Sequence, residues 1–333
     1  MKKLVNKPLA YVDEMLEGMC EAHPDYYWRC GPQNRVIVRP KAPINGKVGL
    51  VSGGGSGHLP VFTGYVGDGL LDACAIGDVF SSPNVEQMME AARRAEGGKG
   101  VLLLYGNYSG DRMNFDMAAE MLEVEGIQTR TVLGNDDVAS GGPNEKDKRR
   151  GIAGLIYAYK AAGAKAQAGG SLDEVVAAAQ KAVSRTRTVG IALKPCVLPA
   201  AGKPTFEIGE NEMEIGMGIH GEPGVRRGPL GTADEISNEM LNMLLADMPL
   251  SSGDRVSILV NSLGATPLEE LYIVYRYLAA RLKELGVRIV EPLVGRYCTS
   301  MEMMGHSISI HLLDRELEAL LKAPCDCPHW RRV

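Results

Sequence analysis

Three short segments of the sequence combine glycine with side chains that can exchange a proton with a ligand. Residues 51–60 contain four glycines and lead into His58, a second segment carries Asp111, and a third places His220 between glycines. Glycine has no Cβ, so the backbone N–H groups of such segments can approach a small polar molecule closely. Histidine and aspartate are common proton donors and acceptors in catalysis. The pattern indicates a site for a small polar ligand.

The glycine-rich segment around Ser56 matches none of the familiar nucleotide or nucleophile motifs. The dinucleotide fingerprint G-x-G-x-x-G that starts at Gly53 requires glycine where His58 stands, and the phosphate loop requires a lysine. The hydrolase motif G-x-S-x-G around Ser56 also fails, because its last position is His58. A tight turn with a surface histidine is the structural alternative for this segment.

Asp111 and His220 also have structural alternatives. Asp111 precedes a predicted helix and can act as its N-cap, a role compatible with accepting a proton from a substrate hydroxyl. The glycines around His220 leave room for a ligand. The other histidines lack such surroundings and are interpreted as structural; they are His23, His306, His311 and His329.

Alternating strand and helix patterns must position these residues. Apolar runs predict strands at 47–52, 100–105, 128–133, 189–193, 255–261, 288–293 and 307–311. Helical periodicity predicts helices at 8–20, 85–95, 114–125, 148–167, 172–186, 236–245 and 267–285. The predicted fold class is α/β, with two α/β domains whose mainly parallel or mixed sheets are covered by helices. We place the first domain at 1–186 and the second at 187–333.

Composition excludes several classes of function. The 333 residues are 45% hydrophobic and 23% charged, with a net charge of −5, so no basic face for nucleic acid or an anionic membrane is expected. No apolar run is long enough to span a bilayer, and the N-terminus does not resemble a signal peptide, so we expect a cytoplasmic protein. The seven cysteines are expected to be free thiols, with no metal site and with Cys325 and Cys327 in a flexible tail.

The three segments together resemble the dihydroxyacetone kinase family, specifically its ketose-binding K subunit. The resemblance extends over nearly the whole chain. Further matching stretches are Phe80-Ser81-Ser82-Pro83, Arg149-Arg150-Gly151-Ile152-Ala153-Gly154, Pro199-Ala200-Ala201-Gly202-Lys203-Pro204, Asn261-Ser262-Leu263-Gly264-Ala265-Thr266-Pro267 and Tyr297-Cys298-Thr299-Ser300.

The resemblance implies catalytic roles for the three polar residues. His220 matches the histidine that adds to a ketose carbonyl through its distal ring nitrogen and forms a covalent hemiaminal, a reaction open to a ketone but not to glycerol. His58 matches a histidine that assists proton transfer, and Asp111 matches the carboxylate that orients and deprotonates the attacking hydroxyl. The resemblance also implies that substrate contacts come from the segment Gly55-Ser56-Gly57.

The resemblance also implies partners. The chain itself is expected to carry no cofactor; Mg-ADP or Mg-ATP is expected on a separate helical L subunit (DhaL-like). The phosphoryl donor is then ATP or a phosphohistidine protein of a sugar phosphotransferase system. A homodimer is expected as well. A second interpretation is a ketose-sensing coactivator without catalytic activity.

Two residues depart from the family pattern. Leu59 replaces a glutamate after His58, and Gly106 replaces a lysine that contacts the ketose. Loss of this charged pair predicts a roomier and less polar pocket. The substrate is therefore either dihydroxyacetone or a longer ketose, a tetrulose such as erythrulose.

Overall fold

The apolar runs and helical periodicities of the sequence form two six-stranded sheets with helices against them. The structure is a computed structural model and describes residues 2–333. Within these residues the α-helices are α1 (Tyr11–Ala22), α2 (Val85–Ala95), α3 (Ser109–Val124), α4 (Leu155–Gln167), α5 (Leu172–Ser184), α6 (Ala233–Asp247), α7 (Leu268–Glu284) and α8 (Arg315–Lys322). The strands are β1 (Trp28–Cys30), β2 (Val36–Val38), β3 (Gly49–Ser56), β4 (Ala73–Val79), β5 (Val101–Gly106), β6 (Thr129–Gly134), β7 (Thr186–Lys194), β8 (Glu212–Ile215), β9 (Arg226–Pro229), β10 (Arg255–Ser262), β11 (Arg288–Gly295), β12 (Met304–Leu313), β13 (Cys325–Cys327) and β14 (Trp330–Arg332).

The first sheet has the strand order β1-β2-β4-β3-β5-β6. The four strands β4, β3, β5 and β6 are parallel, and β2 and β1 extend the sheet in antiparallel pairs. Helix α2 illustrates why local sequence suffices for these elements: Asn84 and Gln87 form a capping box at its start, and its predicted bounds are confirmed. Because β3 and β5 are parallel, their carboxyl ends bring the residues that follow them to the same edge.

The second sheet, ordered β11-β10-β12-β7-β8-β9, is the mixed one of the two alternatives that the sequence predicts. Only β10 and β11 pair in parallel, and the remaining neighbours are antiparallel. A parallel pair needs a crossover connection, which α7 supplies between β10 and β11, whereas β8 and β9 follow β7 without an intervening helix. The α/β class and the mixed sheets of the prediction are confirmed.

Four local predictions are corrected by the structure. Strand β3 continues through the glycines to Ser56. Glycine suits this part of the strand because β4 and α3 lie so close that a Cβ at Gly53 would be 2.9 Å from the Ala75 oxygen and 3.1 Å from Phe115. Helix α3 begins earlier than predicted, so Asp111 lies in its first turn and Tyr108 is the N-cap. Helix α4 begins only at Leu155. The C-terminal segment is a buried hairpin, β13–β14, rather than a flexible tail.

The two halves of the chain share apolar packing. One core cluster includes Ile156 from the first half together with Leu259 and Leu293 from the second. Strand β7 starts at Thr186, beside the predicted division between 1–186 and 187–333, which stays a prediction. Across residues 2–333, no helix combines the length and apolar character needed to cross a bilayer.

Candidate active site

Two histidines from distant parts of the chain meet at the edge of the first sheet. His58 follows β3, and His220 lies in the connection between β8 and β9. Their Nε2 atoms are 3.0 Å apart. The segment 297–300 holds both, because Nδ1 of His58 is 2.8 Å from the Thr299 carbonyl and the Ser300 hydroxyl donates to the Ile219 carbonyl at 2.5 Å.

The other ring nitrogens determine which protons the pair carries. The Thr299 carbonyl can only accept, so Nδ1 of His58 is the donor and its Nε2 has a free lone pair. Nδ1 of His220 lies 3.0 Å from Oε1 of Glu222, so it too is a donor. A hydrogen bond between the two Nε2 atoms therefore requires one additional proton.

His58 is the less favourable site for that proton. Burial, followed by the charge of His220, lowers the pKa of His58 to about 3, so His58 is the neutral partner. Burial acts to raise the pKa of Glu222, but its hydrogen bond with His220 and the charges of His220 and Arg150 outweigh burial and lower it to about 2. An anionic Glu222 beside His220 stabilises a positively charged ring.

Aromatic rings fix the orientation of the histidine pair. Phe80 stacks on His58 with ring centroids 4.9 Å apart, and its ring meets His220 edge-on at 5.2 Å. Tyr108 contacts His220 in a T-shaped arrangement at 4.9 Å. The two imidazoles therefore have little rotational freedom, which suits a reaction that needs a fixed lone-pair direction.

Asp111 joins the site from the first turn of α3. Its side chain is buried, and Oδ1 has no hydrogen-bond partner anywhere in residues 2–333. Burial raises the pKa of Asp111 to about 6, against the lowering effects of a hydrogen bond with Ser82 and of the charge on His220. A buried carboxylate with a free oxygen and a pKa near neutrality is suited to general-base catalysis.

The comparisons with known proteins identify the family. A family model described as the Dak1 domain matches residues 17–329. The chain is 45% identical, over 99% of both chains, to the dihydroxyacetone-binding subunit DhaK of PTS-dependent dihydroxyacetone kinase 2 from Listeria innocua. The chain belongs to the dihydroxyacetone kinase family.

Two further relatives show the range of functions within the dihydroxyacetone kinase family. The chain is 43% identical to the L-erythrulose kinase of Pectobacterium atrosepticum, matching over its full length but covering 56% of that protein. A solved structure of the dihydroxyacetone kinase operon co-activator Dha-DhaQ superimposes with a TM-score of 0.90 at 32% identity, covering 96% of this chain and 98% of that one. The family, the fold and the phosphotransferase class predicted from sequence are confirmed.

The structure places the predicted residues Gly55, Ser56 and Gly57 at the end of β3. Neighbouring protein atoms already fill the space that their side chains would use. The Ser56 hydroxyl donates to the Gly77 carbonyl at 3.0 Å. A Cβ at Gly55 would be 2.6 Å from the Ser81 nitrogen, and one at Gly57, where φ is +105°, would be 2.7 Å from Phe80. Any substrate contact from this segment would therefore use backbone groups, and that role stays a prediction.

The two departures from the family pattern lie in different surroundings. Gly106 is buried at the end of β5, where a Cβ would be 3.1 Å from the Tyr108 ring. Leu59 instead lines a cavity of about 340 Å³, together with Tyr11 and Met15 of α1 and with Gly57 and Thr299. Gly106 is thus next to the Tyr108 ring, and Leu59 directly follows His58, so both departures adjoin rings that contact His220.

Sequence reasoning missed Glu222, the carboxylate that hydrogen-bonds to His220. The run from His220 to Glu222 contains a carboxylate two residues after the histidine, but spacing alone does not show that the side chain turns back. In the structure Glu222 accepts from both the backbone nitrogen and Nδ1 of His220, each at 3.0 Å. Arg150 lies 3.9 Å from Glu222 and also pairs with the buried Asp137 at 2.7 Å.

Proposed function

We propose that this chain is the ketose-binding subunit of a dihydroxyacetone-type kinase, which holds a short-chain ketose as a hemiaminal on His220. The observation that carries the proposal is the 3.0 Å contact between Nε2 of His220 and Nε2 of His58. This contact joins a nitrogen that can attack a carbonyl to a neutral base that can receive the proton blocking it.

Hemiaminal formation requires the shared proton to change place. His58 takes it from Nε2 of His220, and the freed lone pair forms a bond to the carbonyl carbon of the ketose. As the carbon–oxygen π bond breaks, the oxygen receives the proton from His58 and becomes a hydroxyl. The imidazole ring, now bonded to carbon, carries the positive charge that Glu222 balances at 3.0 Å. Protons and charge are conserved throughout.

Asp111 serves the second step, in which a hydroxyl of the bound ketose attacks phosphorus. Its Oδ1 has no hydrogen-bond partner within the described chain and can accept the hydroxyl proton. Phosphoryl transfer depends mainly on positioning and charge stabilisation, and the covalent bond to His220 supplies the positioning.

The phosphoryl group is supplied, in this proposal, by a separate L subunit (DhaL-like) that carries Mg-ADP or Mg-ATP. The name of the Listeria relative, a PTS-dependent kinase subunit, supports a phosphohistidine protein of a sugar phosphotransferase system as the donor, with ATP as the other source. A homodimer in the cytoplasm is part of the same proposal.

Reconstitution tests the proposed function. The chain is mixed with an L subunit and each phosphoryl donor in turn, and formation of the ketose phosphate is measured. Turnover that depends on all components supports the kinase subunit. Saturable ketose binding without turnover under every donor supports the coactivator instead, because the chain superimposes equally well, with a TM-score of 0.90, on the Dha-DhaQ co-activator and on a dihydroxyacetone kinase.

The substrate is a ketose of three or four carbons, and Gly106 provides the test that separates them. A Cβ at position 106 would press on the Tyr108 ring at 3.1 Å, and that ring contacts His220, so Gly106→Lys should reduce kcat/KM for the larger erythrulose relative to dihydroxyacetone by about tenfold. Gly18→Lys on α1 is the control, because nothing lies within 4 Å of its missing Cβ. A wild-type preference for erythrulose that Gly106→Lys removes would identify the tetrulose as the substrate, and an unchanged ratio or a wild-type preference for dihydroxyacetone would exclude it.

A further inference from the structure

A second cavity, of about 600 Å³, opens beside the edge strand β6 and helix α5. Its charged lining is entirely cationic and comprises Lys146, Arg149 and Arg187. Asn135, Gln180 and Ser184 add polar groups, and valines from β6 and α5 form an apolar wall. The volume is in the range of small-molecule sites. None of the residues of the histidine pair contributes to this lining.

The charges around this cavity are unbalanced. The Asp247 carboxylate accepts from Arg149 at 2.6 Å, pairs with Arg187, and lies 3.8 Å from Lys146. Arg149 and Arg187 are only 1% and 8% exposed. One carboxylate therefore serves three cations, two of them buried, whereas buried charges in proteins are normally paired. An anion in the cavity would supply the missing negative charge.

Arg187 also keeps a hydrogen-bond donor free. Its Nε donates to Asp247, and its Nη1 donates to the Ser184 and Thr186 carbonyls at 3.0 and 2.7 Å. No hydrogen bond within residues 2–333 uses Nη2. A buried guanidinium that lines a cavity and retains unused N–H groups is suited to bind the oxygens of a phosphate.

We propose that this cavity binds a small phosphorylated molecule, with Arg187 and Lys146 contacting its phosphate and the apolar wall contacting the remainder. This proposal rests on the lining and charges of the cavity and does not depend on the proposed kinase function. Arg149 is held by Asp247 and by the Gly141 carbonyl, and it acts as the fixed positive charge at the back of the cavity.

Isothermal titration with inorganic pyrophosphate, at ionic strength held constant with sodium chloride, tests the proposal. The wild-type chain should bind one equivalent saturably. Lys146→Gln should weaken binding about fivefold, as expected for one partly exposed charge. Lys148→Gln is the matched control, because Lys148 pairs with Glu145 on the surface and does not line the cavity. Its affinity should stay within twofold of wild type.

A second variant introduces a competing carboxylate without touching the buried ion pairs. Gln180 is an exposed residue of α5 that lines the cavity, so Gln180→Glu should leave the fold intact and weaken pyrophosphate binding at least tenfold. Absence of saturable binding to the wild-type chain would overturn the proposal. Equal affinities for the Lys146 and Lys148 variants, or an unaffected Gln180→Glu chain, would also overturn it.

Discussion

Two buried aspartates, Asp72 and Asp111, differ in whether both of their carboxylate oxygens have hydrogen-bond or ion-pair partners. Asp72 is 3% exposed and accepts from Lys47 at 2.6 Å and from the Leu50 nitrogen at 2.8 Å, while its other oxygen is 2.7 Å from Nε of Arg39. Asp111 is 7% exposed, yet one of its oxygens has no partner within residues 2–333. Each oxygen of Asp72 thus faces a cation, whereas Oδ1 of Asp111 has no partner among the described residues and remains available for chemistry at a cost in stability.

Replacing Asp72 should have the largest effect of all, and on stability. Asp72→Asn removes the charge that balances Lys47 and Arg39, and breaking such a buried pair costs about 3–5 kcal/mol of the unfolding free energy. Urea denaturation measures this loss. Ketose binding should persist under conditions where the variant remains folded. A variant as stable as wild type would show that the pairing around Asp72 contributes little.

Replacing Asp111 should instead reduce activity and leave stability intact. Asp111→Asn removes the general base, so turnover with an L subunit should fall about 100-fold or more, while the adduct on His220 still forms. The folded-state pKa of Asp111, about 6, is above its ordinary value, so the wild-type carboxylate destabilises the fold at neutral pH. The variant should therefore be at least as stable above pH 6, and this advantage should disappear toward pH 4. Full activity of the variant would contradict the role of Asp111 as general base and leave it a structural role in the first turn of α3.

Replacing Glu222 should have an intermediate effect, and this effect should be on formation of the ketose adduct. Glu222→Gln removes the charge that balances the His220 ring, and a hydrogen bond to a charged group contributes about 1.5–3 kcal/mol, so ketose affinity should fall roughly 10- to 100-fold. Isothermal titration with dihydroxyacetone and erythrulose measures the change. Glu214→Gln is the control, because Glu214 accepts from the Gly224 nitrogen and not from His220. Equal affinities for the two variants would remove Glu222 from the mechanism.

The smallest expected effect is the pH dependence of the wild-type reaction. Because Asp111 must be deprotonated to act as a base and its pKa is raised to about 6, kcat should increase by about tenfold between pH 5 and pH 7 and then level off. The rise should be absent from the residual activity of Asp111→Asn. A profile that is flat across this range in the wild type would contradict the assigned base.

The elements could be predicted where local chemistry specifies them, and not where long-range pairing does. Helix α2 has its own capping box and was predicted with its correct bounds. Strand β4 was missed, because its sequence of small residues, Ala73–Val79, becomes a strand only through pairing with β2 and β3. The antiparallel pairing within the second sheet likewise depends on contacts between distant parts of the chain.

The candidate site divides in the same way. His58, Asp111 and His220 could be selected from their glycine-rich surroundings and from the family resemblance. Their direct contact, and the proton it requires, depend on the fold that places β3 beside the β8–β9 connection. The basic cavity was missed because Lys146, Arg149, Arg187 and Asp247 come from separate parts of the sequence.

The proposed mechanism depends on a covalent bond between His220 and the ketose carbonyl carbon. Carbon-13 NMR of the chain with dihydroxyacetone labelled at the carbonyl carbon tests it directly, with His220→Ala as the control. The label should move from the ketone region to the region of saturated carbons bonded to nitrogen and oxygen, and the control should show no such signal. A bound label that remains in the ketone or hydrate region with the wild-type chain would contradict this mechanism.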